Sequence, residues 1–301
     1  MLPDEMETLT DALRWAASRF EAAGVCYGHG TDNAIDEAAA LVLQTLHLPP
    51  DLDGLYFAGR LSTDEKALIG ERLRQRIEER RPLPYVTGEA WFAGLSFRVD
   101  ERVLIPRSPT AELIETGFQP WLDPDRVARV ADVGTGCGCI AVACAYAFPD
   151  ASIEALDTSE GALELTRQNS ADHGVAERVE ARYSDLLSGL EADWNYDLIV
   201  ANPPYVASER IDAMPPEFRH EPREGLDGGA DGLVLVHPLL RQAAARLRDD
   251  GLLVCEVGLS WPAFAQAYPD LPVEWIAFER GGAGVFVITG ADLRSQLPDT
   301  A

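Results

Sequence analysis

The sequence predicts an α/β protein: a mostly parallel seven-stranded sheet of the Rossmann-like kind, preceded by a small helical bundle and a β-hairpin linker. Three observations carry this. From about residue 127, short apolar runs alternate with helix-length segments, the rhythm of parallel strands with helices on both faces. Residues 1–85 instead place apolar residues at helical spacing. Residues 86–106 switch to a period of two. The expected division is therefore 1–85, 86–106 and 107–301.

In the helical region Leu9, Leu13, Ala16 and Phe20 share one helix face, and Gly24 ends it. Ile35, Ala38, Val42 and Leu46 mark a second helix, opened by Asp32-Asn33 and closed before Pro49-Pro50. Ser62 with Glu65 makes a capping box for a third, whose inner face is Ile69, Leu73 and Ile77. The run Arg72, Arg74, Arg76, Arg80 and Arg81 alternates with Glu71, Glu78 and Glu79 and reads as a solvated face. Between the first two helices lies Tyr27-Gly-His-Gly-Thr-Asp-Asn33. His29 there is either a ligand-facing residue or part of a turn whose glycines set the backbone and whose Asp or Asn caps the next helix.

In the linker, Leu95, Phe97 and Val99 alternate, Asp100-Glu101 turns, and Val103-Leu104-Ile105 returns as the second strand of a hairpin. Ser108 is the expected N-cap of the next helix, with Pro109 at its first position. Arg107 either contacts substrate or makes a surface ion pair.

The strands of the α/β region are Val127–Val133, Ser152–Leu156, Val179–Tyr183, Tyr196–Ala201, Leu252–Val257, Val273–Phe278 and Val285–Thr289. The last two flank a Gly-rich turn and read as a terminal hairpin that makes one edge strand antiparallel. The fourth strand ends in Asn202-Pro203-Pro204-Tyr205. The prolines stop it, because neither can donate a ladder hydrogen bond. Open α/β sheets bind ligands at the carboxyl ends of their strands. Asn202 offers a side-chain acceptor, and Pro203 offers only its carbonyl. Together they can accept both hydrogens of a flat –NH₂ group, with Tyr205 stacked on its plane. That suits a carboxamide or a nucleobase amine; the plain alternative is a strand ending in a Pro-rich turn.

The turn after the first strand is Gly134-Thr135-Gly136-Cys137-Gly138, which lets a ligand touch the backbone. It lacks the further spacing of the dinucleotide fingerprint, and no Gly-Lys-Ser/Thr follows. Three acids stand at successive strand ends: Asp132, Asp157 and Asp185. Asp157 can take both ribose hydroxyls, and Asp185 can accept from an adenine amine. Several acids fit a nucleoside with an ammonium group and no phosphate, which describes S-adenosyl-L-methionine.

Composition narrows the partners. The net charge is −25 and Lys66 is the one lysine, so the 301-residue chain should not dwell on nucleic acid non-specifically. The acidity suits a basic protein partner or reflects a source with an acid, salt-adapted proteome. No apolar run approaches the ~20 residues of a membrane span, and the acidic start lacks a signal peptide's basic region. Five cysteines, an odd number, fit a reducing cytoplasm rather than a disulfide framework. Cys137 and Cys139, with no second pair or nearby His, do not read as a metal site.

Asp132-Val-Gly-Thr-Gly-Cys-Gly-Cys-Ile-Ala141, Asp157, Asp185 and Asn202-Pro-Pro-Tyr205 together resemble the protein-glutamine N5-methyltransferases, over nearly the whole chain. The resemblance implies a helical recognition domain, a hairpin and a class I S-adenosylmethionine-dependent methyltransferase fold. It carries cofactor contacts onto Gly134 to Gly138, Asp157, Asp185, Leu186 and Asn202. Leu186 stands where the family often has an aromatic residue. Tyr27 to Asn33, Arg107-Ser-Pro-Thr-Ala-Glu-Leu-Ile114 and Cys144-Ala-Tyr-Ala-Phe-Pro149 are similar to the branch that modifies the third large-subunit ribosomal protein, L-three. The other branch modifies the Gly-Gly-Gln loop of release factors and usually has Arg-Pro-Asp-Thr-Glu at the second of these places. The expected chemistry is positioning: Asn202 and the Pro203 carbonyl hold the glutamine –NH₂, Tyr205 fixes its plane, and Pro204 and Arg107 complete the substrate side. The rivals are a nucleic-acid base-amine methyltransferase, which must take an unstacked base, and a non-catalytic module that kept the fold.

Overall fold

The computed structural model describes residues 2–188, 190 and 195–297, so Met1 and the last four residues of the expected domains lie outside it. The chain forms two compact units. The first comprises Met1–Ala90, Val99–Glu101 and Pro215–His220; the second comprises Trp91–Arg98, Arg102–Met214 and Glu221–Ala301.

The first unit is helical: α1 (Leu9–Ala23), α2 (Ala34–Thr45), α3 (Thr63–Glu78) and the short α4 (Leu83–Thr87). The starts of α1, α2 and α3 are capped as their sequences demand. Thr8 and Asp11 form a capping box on α1, Asn33 accepts from two N–H groups of α2, and Ser62 with Glu65 boxes α3. Gly24 closes α1 in the left-handed region. The core is Leu9, Ala12, Ala16, Phe20, Ala38, Leu41, Val42, Ile69 and Leu73. Ile35 is not part of it: the apolar face of α2 is set by Ala34, Ala38 and Leu41, which leaves Ile35 exposed.

The arginine run on α3 is not a uniformly solvated face. Arg76 is 1% exposed. Its guanidinium bonds Glu37 at 2.5 Å, Glu217 at 3.4 Å and the Cys26 carbonyl at 2.7 Å. Glu217 also accepts the Cys26 N–H at 2.9 Å and Arg80 at 3.3 Å. Phe218 packs its ring on His29, centroids 4.4 Å apart, so His29 sits buried in this unit. A buried charge pairs with what surrounds it, and the partners of Arg76 come from segments far away in sequence, where helical periodicity has no reach.

A two-stranded hairpin, β1 (Glu89–Phe92) and β2 (Leu95–Arg98), turns at Ala93-Gly94, both at positive φ, and not at Asp100-Glu101. Residues 103–105 form no strand; the Ile105 N–H goes to the Glu221 carboxylate at 3.1 Å, so it is lost to any ladder.

The second unit continues with α5 (Thr110–Glu115), β3 (Arg129–Val133), α6 (Cys139–Ala147), β4 (Ser152–Asp157), α7 (Glu160–Asp172), β5 (Val179–Tyr183), β6 (Tyr196–Ala201), α8 (Ser208–Ile211), α9 (Val236–Arg246), β7 (Leu247–Glu256), α10 (Trp261–Ala267), β8 (Glu274–Trp275), β9 (Val285–Thr289) and α11 (Gly290–Gln296). The strand order is β5-β4-β3-β6-β7-β9-β8. The first five strands run parallel, and β9 is antiparallel to both neighbours. The antiparallel strand is thus one in from the edge: Val285–Ile288 are buried, whereas the two residues of β8 are exposed and form the edge. Helices α10 and α11, too short to show a period, were not expected.

All six residues of β6 are buried, as befits a central parallel strand. At its start, the Asp197 carboxylate accepts the N–H groups of Ala128 and Arg129, each at 2.9 Å, and Arg248 at 2.7 Å. This ties β3, β6 and β7 at their amino ends. The register then sets Val133 beside Ala201 and Ala201 beside Cys255.

Arg76→Met should destabilise the helical unit by about 3–5 kcal/mol, because Glu37 loses its buried guanidinium partner and Glu217 keeps only Arg80 and the Cys26 N–H. Arg74→Met, which removes exposed pairs with Glu71 and Glu79, should cost less than about 1 kcal/mol. Urea denaturation of the two variants reads this; equal losses would contradict it.

Candidate active site

The site grows from the carboxyl ends of β3, β4, β6 and β7. After β3 the chain turns through Gly134, Gly136 and Gly138, all at positive φ. Gly134 and Thr135 donate their N–H groups to the Leu156 carbonyl at 2.8 and 2.9 Å, and Gly136 donates to Asp157 Oδ2 at 3.0 Å. From α7, Thr166 donates to the Gly136 carbonyl at 3.0 Å, and Asn169 donates to the Cys137 carbonyl at 2.8 Å. Gly138 must be glycine twice over: φ is +82°, and a Cβ would meet Thr166 Cγ2 at 2.9 Å. The turn is thus held from both sides while α6, apolar all round and buried, runs behind it. Cys137 and Cys139 are buried beside the turn, and burial pushes the nearby Cys144 thiol up, so it is inert at neutral pH.

Asp132 is fully buried. Its Oδ2 accepts from Thr135 Oγ1 at 2.6 Å and from the Ala141 N–H at 3.1 Å. Its Oδ1 is buried with no hydrogen-bond partner. Burial pushes its pKa up to about 7, against the lowering effect of those two donors. Asp157, the last residue of β4, is partly exposed; burial raises it too, and the Ser159, Gly136 and Thr158 N–H groups lower it. Asp185 lies just past β5 and is exposed, followed by Leu186, buried and at positive φ. An orphan carboxylate oxygen by a glycine turn, with two further acids at strand ends, matches a ligand that brings an ammonium and ribose hydroxyls. The residues present fit S-adenosyl-L-methionine.

Asn202 follows β6 and sits beside the glycine turn: a Cβ on Gly134 would lie 3.9 Å from the Asn202 carbonyl oxygen. Pro203 is buried, while Asn202, Pro204 and Tyr205 are half-buried. The Tyr205 hydroxyl donates to Glu256 Oε1 at 2.8 Å, and Ser260 donates to the Tyr205 carbonyl at 2.8 Å. Ser108 Oγ donates to Glu256 Oε2 at 2.5 Å and also receives the Thr110 N–H at 3.2 Å. Ser108 therefore is not the N-cap of α5, whose cap position is Pro109; its hydroxyl is drawn to the buried carboxylate. Arg107 grips Glu221 with two nitrogens, at 2.5 and 2.9 Å. The side chain of Glu221 is 0% exposed, so this is an ion pair with a buried partner rather than a surface one.

Glu256, Glu221, Ser108 and Ser260 were not singled out from the sequence. Glu256 was open to discovery, since it ends β7 as Asp157 ends β4. Glu221 and Ser260 lie in irregular stretches and carry no such signal.

The family model for the methyltransferase small domain matches residues 118–258. The chain is 47% identical over 290 residues to a protein from Xanthomonas campestris pv. campestris named ribosomal protein uL3 glutamine methyltransferase, covering 96% of this chain and 94% of that one. It is 46% identical over 290 residues to a protein of the same name from Xylella fastidiosa (strain 9a5c), covering 96% and 92%.

The raised pKa of Asp132 has a signed consequence in the ligand-free protein. Below its ordinary value of 3.8 the carboxyl is protonated folded and unfolded. Between 3.8 and about 7 only the unfolded chain ionises, so stability falls as pH rises. Above about 7 the loss is complete, at most about 4 kcal/mol at ~1.4 kcal/mol per pH unit. Asp132→Asn should remove this dependence and gain on the wild type across that window. Denaturation midpoints from pH 4 to pH 8, on the order of that window, test it; parallel curves for the two proteins would overturn the assignment.

Proposed function

The chain belongs to the ribosomal protein uL3 glutamine methyltransferases, and we propose that it transfers a methyl group from S-adenosyl-L-methionine to the side-chain amide nitrogen (N5) of a glutamine in uL3. The observation that carries this is the adjacency of two strand ends. The register of β3 with β6 sets the glycine turn beside Asn202-Pro203-Pro204-Tyr205. The α/β unit is a class I S-adenosylmethionine-dependent methyltransferase fold.

When bound, the cofactor supplies an electrophilic methyl group on a sulfonium. Asp132, the backbone of Gly134 to Gly138, Asp157, Asp185 and Leu186 hold it. An amide nitrogen is a poor nucleophile because its lone pair is delocalised, so the residues act by placement. The Asn202 side-chain oxygen and the Pro203 carbonyl accept the two amide hydrogens and aim the nitrogen. As positive charge builds on that nitrogen, the same acceptors bind it more tightly than they bound the ground state. Tyr205 and Pro204 bound the carboxamide plane. Arg107, engaged by Glu221, shapes the substrate side rather than gripping the amide.

The helical unit is assigned to recognition of the protein substrate. Its segment Tyr27–Asn33 differs from the shared catalytic motifs, and partner choice belongs where those motifs are not. Five cysteines carried as free thiols support a cytoplasmic site of action. Among the described residues no helix is long and apolar enough to cross a membrane. The charge of −25 favours a basic protein substrate over nucleic acid.

Purified enzyme should add one methyl mass to a glutamine peptide of isolated uL3 and none to a release factor, as read by mass spectrometry. The initial rate should fall as salt rises, since steering between opposite charges is screened over a Debye length of about 10 Å at 0.1 M and about 3 Å at 1 M. Methylation of the Gly-Gly-Gln loop with uL3 untouched overturns the substrate; a salt-independent rate on uL3 overturns only the electrostatic account. Separately, Asn202→Ala should lose most of the turnover, on the order of 100-fold or more, while calorimetry finds cofactor affinity largely kept. Comparable turnover would remove Asn202 from the mechanism.

A further inference from the structure

We infer that Glu256 is a positioning residue for the transfer, fixing Tyr205 and through it the corner that receives the amide. The inference rests on reading this corner as an amide clamp. Tyr205 is held at three places. Its carbonyl takes the Ser260 hydroxyl at 2.8 Å. Its ring lies against Gly258, where an added Cβ would come within 2.4 Å of Cε2. Its hydroxyl donates to Glu256 Oε1 at 2.8 Å. The first two contacts fix the backbone and one face of the ring. Gly258 leaves room for the far half of the ring, and the third contact is the directional one that sets where the ring points.

Glu256 is well built for this. It ends β7, whose Cys255 is in register with Ala201, the residue before Asn202. The anchor and the clamp therefore hang from neighbouring strands joined by a hydrogen-bonded ladder. The carboxylate is 4% exposed and both its oxygens are used, one by Tyr205 and one by Ser108 at 2.5 Å. A lone buried carboxylate is costly, and an apolar side chain of similar size would fill the space without that cost. What the carboxylate adds is direction: two acceptor oxygens that fix two hydroxyls. Glu256 bonds the Tyr205 hydroxyl, and it acts on the corner through that ring. Placement errors of about 1 Å cost about 100-fold in rate when chemistry depends on alignment.

The test is steady-state kinetics of the full-length chain with Tyr205→Phe, Glu256→Leu, the double variant and Glu256→Gln, each with cofactor affinity measured by calorimetry. Tyr205→Phe and Glu256→Leu should each lower kcat by about tenfold or more, with the cofactor Kd within about twofold of wild type. The double variant should be no slower than the slower single, because both remove one interaction. Glu256→Gln should recover most of the loss: its carbonyl accepts from Tyr205 and its amide donates to Ser108. Tyr205→Phe deletes a single oxygen, so it carries the test even if Glu256→Leu does not fold. Wild-type kcat in Tyr205→Phe, or losses that multiply in the double variant, would overturn the inference. Activity of the wild type on uL3 judges the substrate; the ratio of variant to wild type, on whichever glutamine amide is methylated, judges Glu256. A wild type that methylates no glutamine amide overturns the clamp reading and this inference with it.

Discussion

The site depends on where three parallel strands end, and for β3 and β6 that level is set at their other ends. Asp197 draws in the N–H groups of Ala128 and Arg129 before β3 and the guanidinium of Arg248 on β7. With those ends tied, the ladder carries the alignment along β3 and β6 to Val133 and Ala201; the pairing of β7 with β6 shifts register between Tyr196 and Leu198 and then runs from Leu252 to set Cys255 beside Ala201. A slip of one residue would turn every side chain to the opposite face. The glycine turn, Asn202 and Glu256 would then no longer stand side by side. Asp197 stands at the opposite end of the strands from the site, yet the ends of β3 and β6 share its reference point.

Two buried carboxylates at the far end of the same sheet illustrate opposite uses of burial. Glu256 has both oxygens satisfied by hydroxyls and serves as a fixed anchor. Asp132 has one oxygen satisfied and one orphaned, which leaves it raised and unfavourable in the ligand-free protein. Under the proposed reading a positively charged ligand group would relieve that state. Within one fold, a completed hydrogen-bond set makes a scaffold, and an incomplete one leaves an acceptor for a ligand.

What the sequence disclosed follows the range of the forces involved. The βα rhythm, the strand-end acids, the glycine turn and the Asn-Pro-Pro-Tyr corner are local patterns, and the strands β3 to β6 and the caps at Asn33 and Ser62 are legible in their own residues. The hairpin turn at Ala93-Gly94 is hidden because the period-two signal is clear only in the second strand, Leu95–Arg98, and β1 before it is four residues long. The roles of Arg76, Glu217, Ser108 and Glu221 were hidden because each is defined by a partner distant in the chain. Arg76 bonds Glu217 across 141 positions, and Ser108 bonds Glu256 across 148. Periodicity describes which face a residue occupies, and a charged residue on a helix reads as solvated until its partner is known. Glu256 is different, since it ends a buried strand as Asp157 does and its place is legible in the same local pattern.

The missed residues also belong together along the chain. After Tyr205 the backbone leaves the α/β unit, and residues 215–220 belong to the helical unit, where Glu217 is buried against Arg76 and Phe218 against His29. The chain returns at Glu221, whose carboxylate takes Arg107 and the Ile105 N–H. The stretch that follows the amide clamp is therefore pinned by buried charge twice, once in each unit, within five residues of one another. An uncharged loop of this length would be free to drift. A carboxylate that must find its guanidinium tolerates few alternatives, because an unpaired buried charge is penalised heavily. The specificity of each ion pair, rather than its net strength, is what holds each of these residues in its own unit.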